Sequence, residues 1–169
     1  MRRVRFREAA RTFAIASPDA LVRRAEECSR TSGQSLDEAA AVVVEDLERA
    51  AAALTARTAP LVPVCGVLVA VAGLLLKAEP SSDNIAESFL GLAILSAVGG
   101  LSFLARAHFL YVGCRNVGLA PTAGDIAFAH DRLVRKRADT HRGGWLAAVG
   151  LTCLIVGILV GAHISLNVG

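Results

Sequence analysis

Charged side chains are absent from three long stretches of this 169-residue chain: Leu61–Leu76, Phe89–Leu104 and Trp145–Ile164. Absent too are a glycine-rich phosphate loop, a nucleophile elbow and a nucleophile–base–acid arrangement, so no catalytic residue is expected and the chain reads as a non-enzyme. Cys28, Cys65, Cys114 and Cys153 are scattered without a close pair. That spacing supports neither a disulfide framework nor a CxxC metal site, and leaves small apolar packing as their role. No apolar h-region follows the arginine-rich start Met1–Arg11. A cleavable signal peptide is therefore not expected, and the first apolar block is retained.

What is present is apolar. Hydrophobic residues make up 54% of the chain and its mean hydropathy is +0.51, above the range of an ordinary soluble domain. The third block is 20 residues long, enough to cross a hydrocarbon core of about 30 Å at about 1.5 Å per residue. The first two are 16 residues each and are lengthened by their flanks, with Lys77 and Arg106 placed to snorkel at the ends. A soluble domain of this size has too little interior to bury three such helices on every side. The expected fold is an all-α integral membrane protein with three transmembrane helices and an N-terminal cytoplasmic helical hairpin.

The expected order along the chain is an arginine-rich arm and hairpin over 1–58, a first span over 59–77 and a short external loop over 78–86. A second span over 87–112, a basic cytoplasmic loop over 113–143, a third span over 144–164 and an external tail over 165–169 complete it. Charge sets the direction. Residues 1–59 hold ten arginines against nine acids, the loop Lys77–Ser88 holds one base against Glu79, Asp83 and Glu87, and residues 105–144 hold seven bases against three acids. Basic segments stay on the cytoplasmic side, so the N-terminus is expected inside and the C-terminus outside. Arg3, Arg5, Arg7, Arg135, Lys136 and Arg137 are the expected contacts to lipid or nucleic-acid phosphates.

Helix punctuation is clearest before the first span. Ser17 is a good N-cap with Pro18 and Asp19 behind it, Gly33 is a good C′ residue, and Ser35-Leu36-Asp37-Glu38 has the form of a capping box. Helical spacing assigns Leu21, Cys28, Leu36, Val43 and Leu47 to the hairpin core. Pro60 is expected to bend the second helix where it enters the membrane. Between spans two and three, Pro121–Asp125 reads as a turn and helix start, followed by an amphipathic stripe of Ile126, Ala129 and Leu133 and an i, i+4 pair of Asp131 with Arg135.

Small residues let membrane helices approach closely. Gly150, Gly157 and Gly161 offer such a face in the third span, Gly66, Ala70 and Gly73 in the first, and Ser96 and Gly100 in the second; each is expected to serve bundle packing or oligomerisation. The mid-span absence of acids, lysines and arginines argues against ion-coupled transport. Asp125, His130, Asp131 and His141 fit no standard ligand spacing, so neither metal nor cofactor is expected.

The stretch Arg11–Leu21 followed by Ser32-Gly33-Gln34-Ser35-Leu36-Asp37-Glu38 resembles the ribbon-helix-helix family of dimeric DNA-binding proteins. The resemblance implies a strand paired with that of a second subunit, a helical dimer core and DNA as a partner. The outward strand positions would be Thr12, Ala14 and Ala16, of which the two alanines cannot hydrogen-bond a base edge. The layout as a whole is similar to small multi-span effectors of bacterial anti-phage systems, which implies the bacterial inner membrane and a nucleotide signal. Three functions are thus expected from the sequence. The leading one is an oligomeric membrane protein whose hairpin self-associates or receives a cytoplasmic partner or signal while the spans anchor or permeabilise the bilayer. The others are a membrane-tethered DNA-binding or conjugation or partition accessory, and an accessory subunit of a larger membrane complex.

Overall fold

Local signals in the sequence place the helix ends. The computed structural model describes residues 17–78, 84–109 and 122–168. Among these the regular structure is entirely helical: α1 (Pro18–Ser32), α2 (Leu36–Thr58), α3 (Leu61–Ala78), α4 (Asn84–Phe109) and α5 (Ala123–Val168). The Ser17 hydroxyl accepts from the Ala20 N–H at 3.3 Å and starts α1. Gly33 ends it with φ +68°, a left-handed conformation that costs glycine nothing, and its N–H donates to the Ser29 carbonyl at 3.0 Å. The capping box of α2 is reciprocal. The Glu38 N–H donates to Ser35 Oγ at 3.3 Å, and the Ser35 N–H donates to Glu38 Oε2 at 3.1 Å.

Two connections differ from expectation. At Pro60 the helix does not merely bend, because α2 stops at Thr58 and α3 starts at Leu61 across a two-residue turn. Farther on, the amphipathic segment and the third span are one uninterrupted helix of 46 residues, running through Gly143-Gly144 and through most of the expected tail. Glycine pairs weaken a helix, but Gly143 packs closely against Leu104 and Gly100 of α4, and such tertiary packing holds the helix through the pair. The expected strand at 11–16, the arginine arm, most of the external loop (79–83) and residues 110–121, with Cys114, lie outside the described residues.

Among the described residues, three helices are long and apolar enough to cross a membrane. They lie within Leu36–Lys77, Ile85–Phe109 and Gly124–Ala162. The chain divides into two compact units, Met1–Ala56 with Tyr111–Arg137 and Arg57–Leu110 with Ala138–Gly169.

The first unit has its own apolar core. Leu21 and Ala25 of α1 meet Ala39, Ala40, Val43 and Leu47 of α2, and Ile126 and Leu133 of α5 close the cluster. Leu21, Val43 and Leu47 are thus buried, whereas Cys28 and Leu36 are exposed. Both lie on the apolar faces by angle. They flank the turn between α1 and α2, however, and the cluster ends before reaching them; a helix face is buried only where a neighbour covers it.

The second unit is a three-helix bundle. One row of buried positions runs along α4 through Leu90, Ala93, Ala97, Gly100, Leu104 and Ala107, and one along α5 through Thr140, Gly143, Ala147, Gly150, Leu154 and Gly157; Ala86, Ser96, Asp139 and Cys153 are buried as well. Both series alternate steps of three and four, the spacing that keeps one seam facing a partner helix. From α3, Cys65 joins Leu104 and Ala147, while Leu68 and Ala72 join Leu90, Ala93, Ala97 and Leu154.

Candidate functional site

The α4–α5 seam is where the second unit is most tightly built. A Cβ on Gly143 would lie 2.8 Å from Leu104 Cγ and 3.0 Å from the Gly100 carbonyl oxygen. One on Gly100 would lie 3.0 Å from the Gly143 oxygen and 3.2 Å from the Ala147 nitrogen. Gly150 faces the Ala93 oxygen at 3.2 Å, and Gly157 faces Leu90 at 3.3 Å. Residue numbers fall on α4 as they rise on α5, so the helices run antiparallel. At Gly100, Gly143 and Gly150 the neighbour is backbone of the facing helix, whereas at Gly157 it is the Leu90 side chain.

Of the small residues singled out from sequence, Gly100, Gly150 and Gly157 line this seam, and Ser96, 8% exposed, borders it beside Gly150. α3 departs from the expectation of tight contact. Gly66, Gly73 and likewise Gly161 of α5 have nothing within 4 Å of a built Cβ, and Ala70 is exposed. The buried positions Cys65 and Ala72 immediately precede Gly66 and Gly73, a displacement of about 100° around the helix. Gly143 and Ala147 were missed in the sequence reading. The alternation of threes and fours along α5 is the signal that finds them.

Two span hydroxyls are satisfied inside their own helices. Ser102 Oγ donates to the Val98 carbonyl and Thr152 Oγ1 to the Ala148 carbonyl, each at 3.0 Å. The Nδ1 of His108 is 3.0 Å from the Leu104 carbonyl. Its Nε2, and the Nε2 of His130, are buried without a hydrogen-bond partner. Among the described residues no three His, Cys, Asp or Glu side chains gather as a metal site, and Cys28, Cys65 and Cys153 are free thiols. A shallow apolar cleft of about 300 Å³ lies along the outer side of α4, lined by Ile85, Ser88, Phe89 and Leu92.

The basic run on α5 divides by face. Arg135 is exposed and pairs with Asp131 at 2.9 Å, the pair expected from spacing, and Arg137 is exposed. Lys136 is 7% exposed, which removes it from the expected phosphate contacts. Burial, with a smaller contribution from the Arg132 charge, lowers its ammonium below the ordinary lysine range. It shares a buried face with Asp139 and Thr140, at i+3 and i+4. Arg3, Arg5 and Arg7 lie outside the described residues. At the start of α5 the Thr122 N–H and hydroxyl both donate to Asp125 Oδ2, at 2.6 and 2.9 Å. These bonds hold the Asp125 carboxyl below the usual carboxylate range, the backbone N–H contributing most.

At one end of the bundle the seam gives way to charge and aromatic rings. The Arg142 guanidinium lies over the Phe103 ring of α4, 6.0 Å from its centre. One turn along α5, Trp145 is 62% exposed and its indole N–H donates to His141 Nε2 at 3.2 Å. No family model matches the chain, and no curated protein or solved structure matches it.

Proposed function

We propose that this protein is a non-enzymatic, oligomeric, multi-pass protein of the bacterial inner membrane with its N-terminus in the cytoplasm. Residues 17–58 form a cytoplasmic helical hairpin that self-associates or docks a cytoplasmic partner, and the three-span bundle anchors it. The supporting observation is the division of labour between the two units. The spans hold no Asp, Glu, Lys or Arg in their apolar blocks, and Gly100, Gly143 and Gly150 bring two of their helices into backbone contact, which suits an anchor. The first unit instead has its own apolar core beneath charged outer faces such as Glu45, Asp46 and Arg49. Gly66, Ala70 and Gly73, uncovered on α3, suit contact between copies.

Native mass spectrometry of the full chain released in mild detergent tests this reading. A defined homo-oligomer is expected; a lone protomer, or fixed stoichiometry with an unrelated subunit, overturns self-association. Direction is tested with an amine reagent that does not cross membranes. Lys77 is labelled in intact cells only if the loop after α3 faces outward.

The paired caps favour one second reading. Gly33 in the left-handed conformation and the reciprocal Ser35–Glu38 box are what a ribbon-helix-helix-like unit requires between its helices. Such a unit would bind duplex DNA with a steep salt dependence that substituting Arg3, Arg5 and Arg7 flattens. Salt-independent or absent binding removes it.

A further inference from the structure

Three exposed arginines come to the same end of the bundle: Arg57 in the last turn of α2 just ahead of α3, Arg106 in the last turn of α4 and Arg142 on α5. The level is common because Leu61 and Val62, one turn beyond Arg57, cluster with Leu104 and Ala147, and Arg142 reaches Phe103. Among the described residues none of the three has an ion-pair partner, and Asp139, the acid described at this end, is buried. The Arg142 guanidinium is steadied against the Phe103 ring without being neutralised. Trp145 marks the depth, since an exposed indole at the end of an apolar helix belongs at the boundary of headgroups and acyl chains.

We propose that this end is a binding site for anionic phospholipid headgroups. Arg57, Arg106 and Arg142 hold the phosphate diester and the negative headgroup, and Trp145 packs beside the upper acyl chain. Guanidinium forks suit phosphate oxygens, and the charge is left unpaired until a lipid supplies the counter-charge. This rests on the reading that the three helices span a bilayer.

Trp145 is the single tryptophan of the chain, so its fluorescence reports on this site alone. The full chain is reconstituted in vesicles containing brominated phosphatidylglycerol or brominated phosphatidylcholine at equal mole fraction, and quenching is compared. The anionic phosphatidylglycerol is expected to be preferred by about fivefold for each arginine engaged. Arg106→Gln and Arg142→Gln each lower that preference by up to about fivefold, whereas Arg49→Gln on α2 leaves it unchanged. Equal quenching by the two lipids in the unaltered protein, which needs no variant to fold, overturns the site. A preference that survives the triple change of Arg57, Arg106 and Arg142 to Gln overturns it as well. If neither lipid quenches Trp145, the spanning reading fails together with the site.

Discussion

Gly143 and Gly144 are neighbours with opposite requirements. A methyl at 143 collides with the Leu104 side chain and the Gly100 carbonyl, while one at 144 meets nothing within 4 Å. Gly143→Ala is therefore expected to destabilise the bundle by about 1–3 kcal/mol through forced separation of α4 and α5. Gly144→Ala should stabilise it by up to about 1 kcal/mol, the helix-propensity difference. Unfolding followed by loss of helical signal in detergent distinguishes them; equal effects would show that the seam is not close-packed. The two lysines make a second contrast. Lys77 is exposed and Lys136 is 7% exposed, so an amine-reactive label added to the folded, detergent-solubilised protein should modify Lys77 and reach Lys136 only after denaturation. Rapid native labelling of Lys136, read by peptide mass spectrometry, would contradict its burial.

Helix ends carry the predictions at the next scale. Ser35→Ala removes the acceptor of the Glu38 N–H and should cost about 1 kcal/mol, seen as faster amide exchange in the first turn of α2 with the spans unaffected. Asp125 introduces a pH dependence of known sign. Its folded carboxyl is held below the usual range, so its contribution is complete above the unfolded value of about 3.9 and is lost as pH falls through the lower folded value. Exchange in the first turn of α5, corrected for intrinsic rate, should stay flat from neutral pH to about pH 4 and rise only below that. Asp125→Asn should abolish the rise; a transition at neutral pH would exclude Asp125 as its source. Helix starts were legible because caps act within four residues. The join between the amphipathic segment and the third span was not, since the packing of Gly143 against α4 that holds the helix there comes from residues far away in the chain.

For the molecule as a whole, the antiparallel seam makes span packing sensitive to bulk in a position-dependent way. The site of a Cβ on Gly157 is already 3.3 Å from Leu90, whereas Gly161 has open space. Gly157→Leu should disrupt the bundle and any assembly built on it, and Gly161→Leu should not, as read by oligomer mass and thermal stability in detergent. Loss of assembly in Gly161→Leu alone would mean that the C-terminal end of α5 serves contacts between copies instead.

The number of long apolar helices was determined by sequence alone, because an uninterrupted run of uncharged residues has few alternatives to a nonpolar environment. The caps at Ser17, Gly33 and Ser35 were equally determined, being satisfied by atoms a few residues away. Only the tertiary structure decided which small residues touch. Gly66 and Gly157 both stand inside charge-free apolar blocks, yet only Gly157 meets a neighbouring helix, because a face becomes an interface only when a second helix arrives at the right angle. It also decided that Lys136 turns inward from the basic run while Arg135 stays in solvent, and that Cys28 and Leu36 fall beyond the covered part of their faces. Burial depends on neighbours far away in the chain, and no local spacing encodes how far along a helix those neighbours extend.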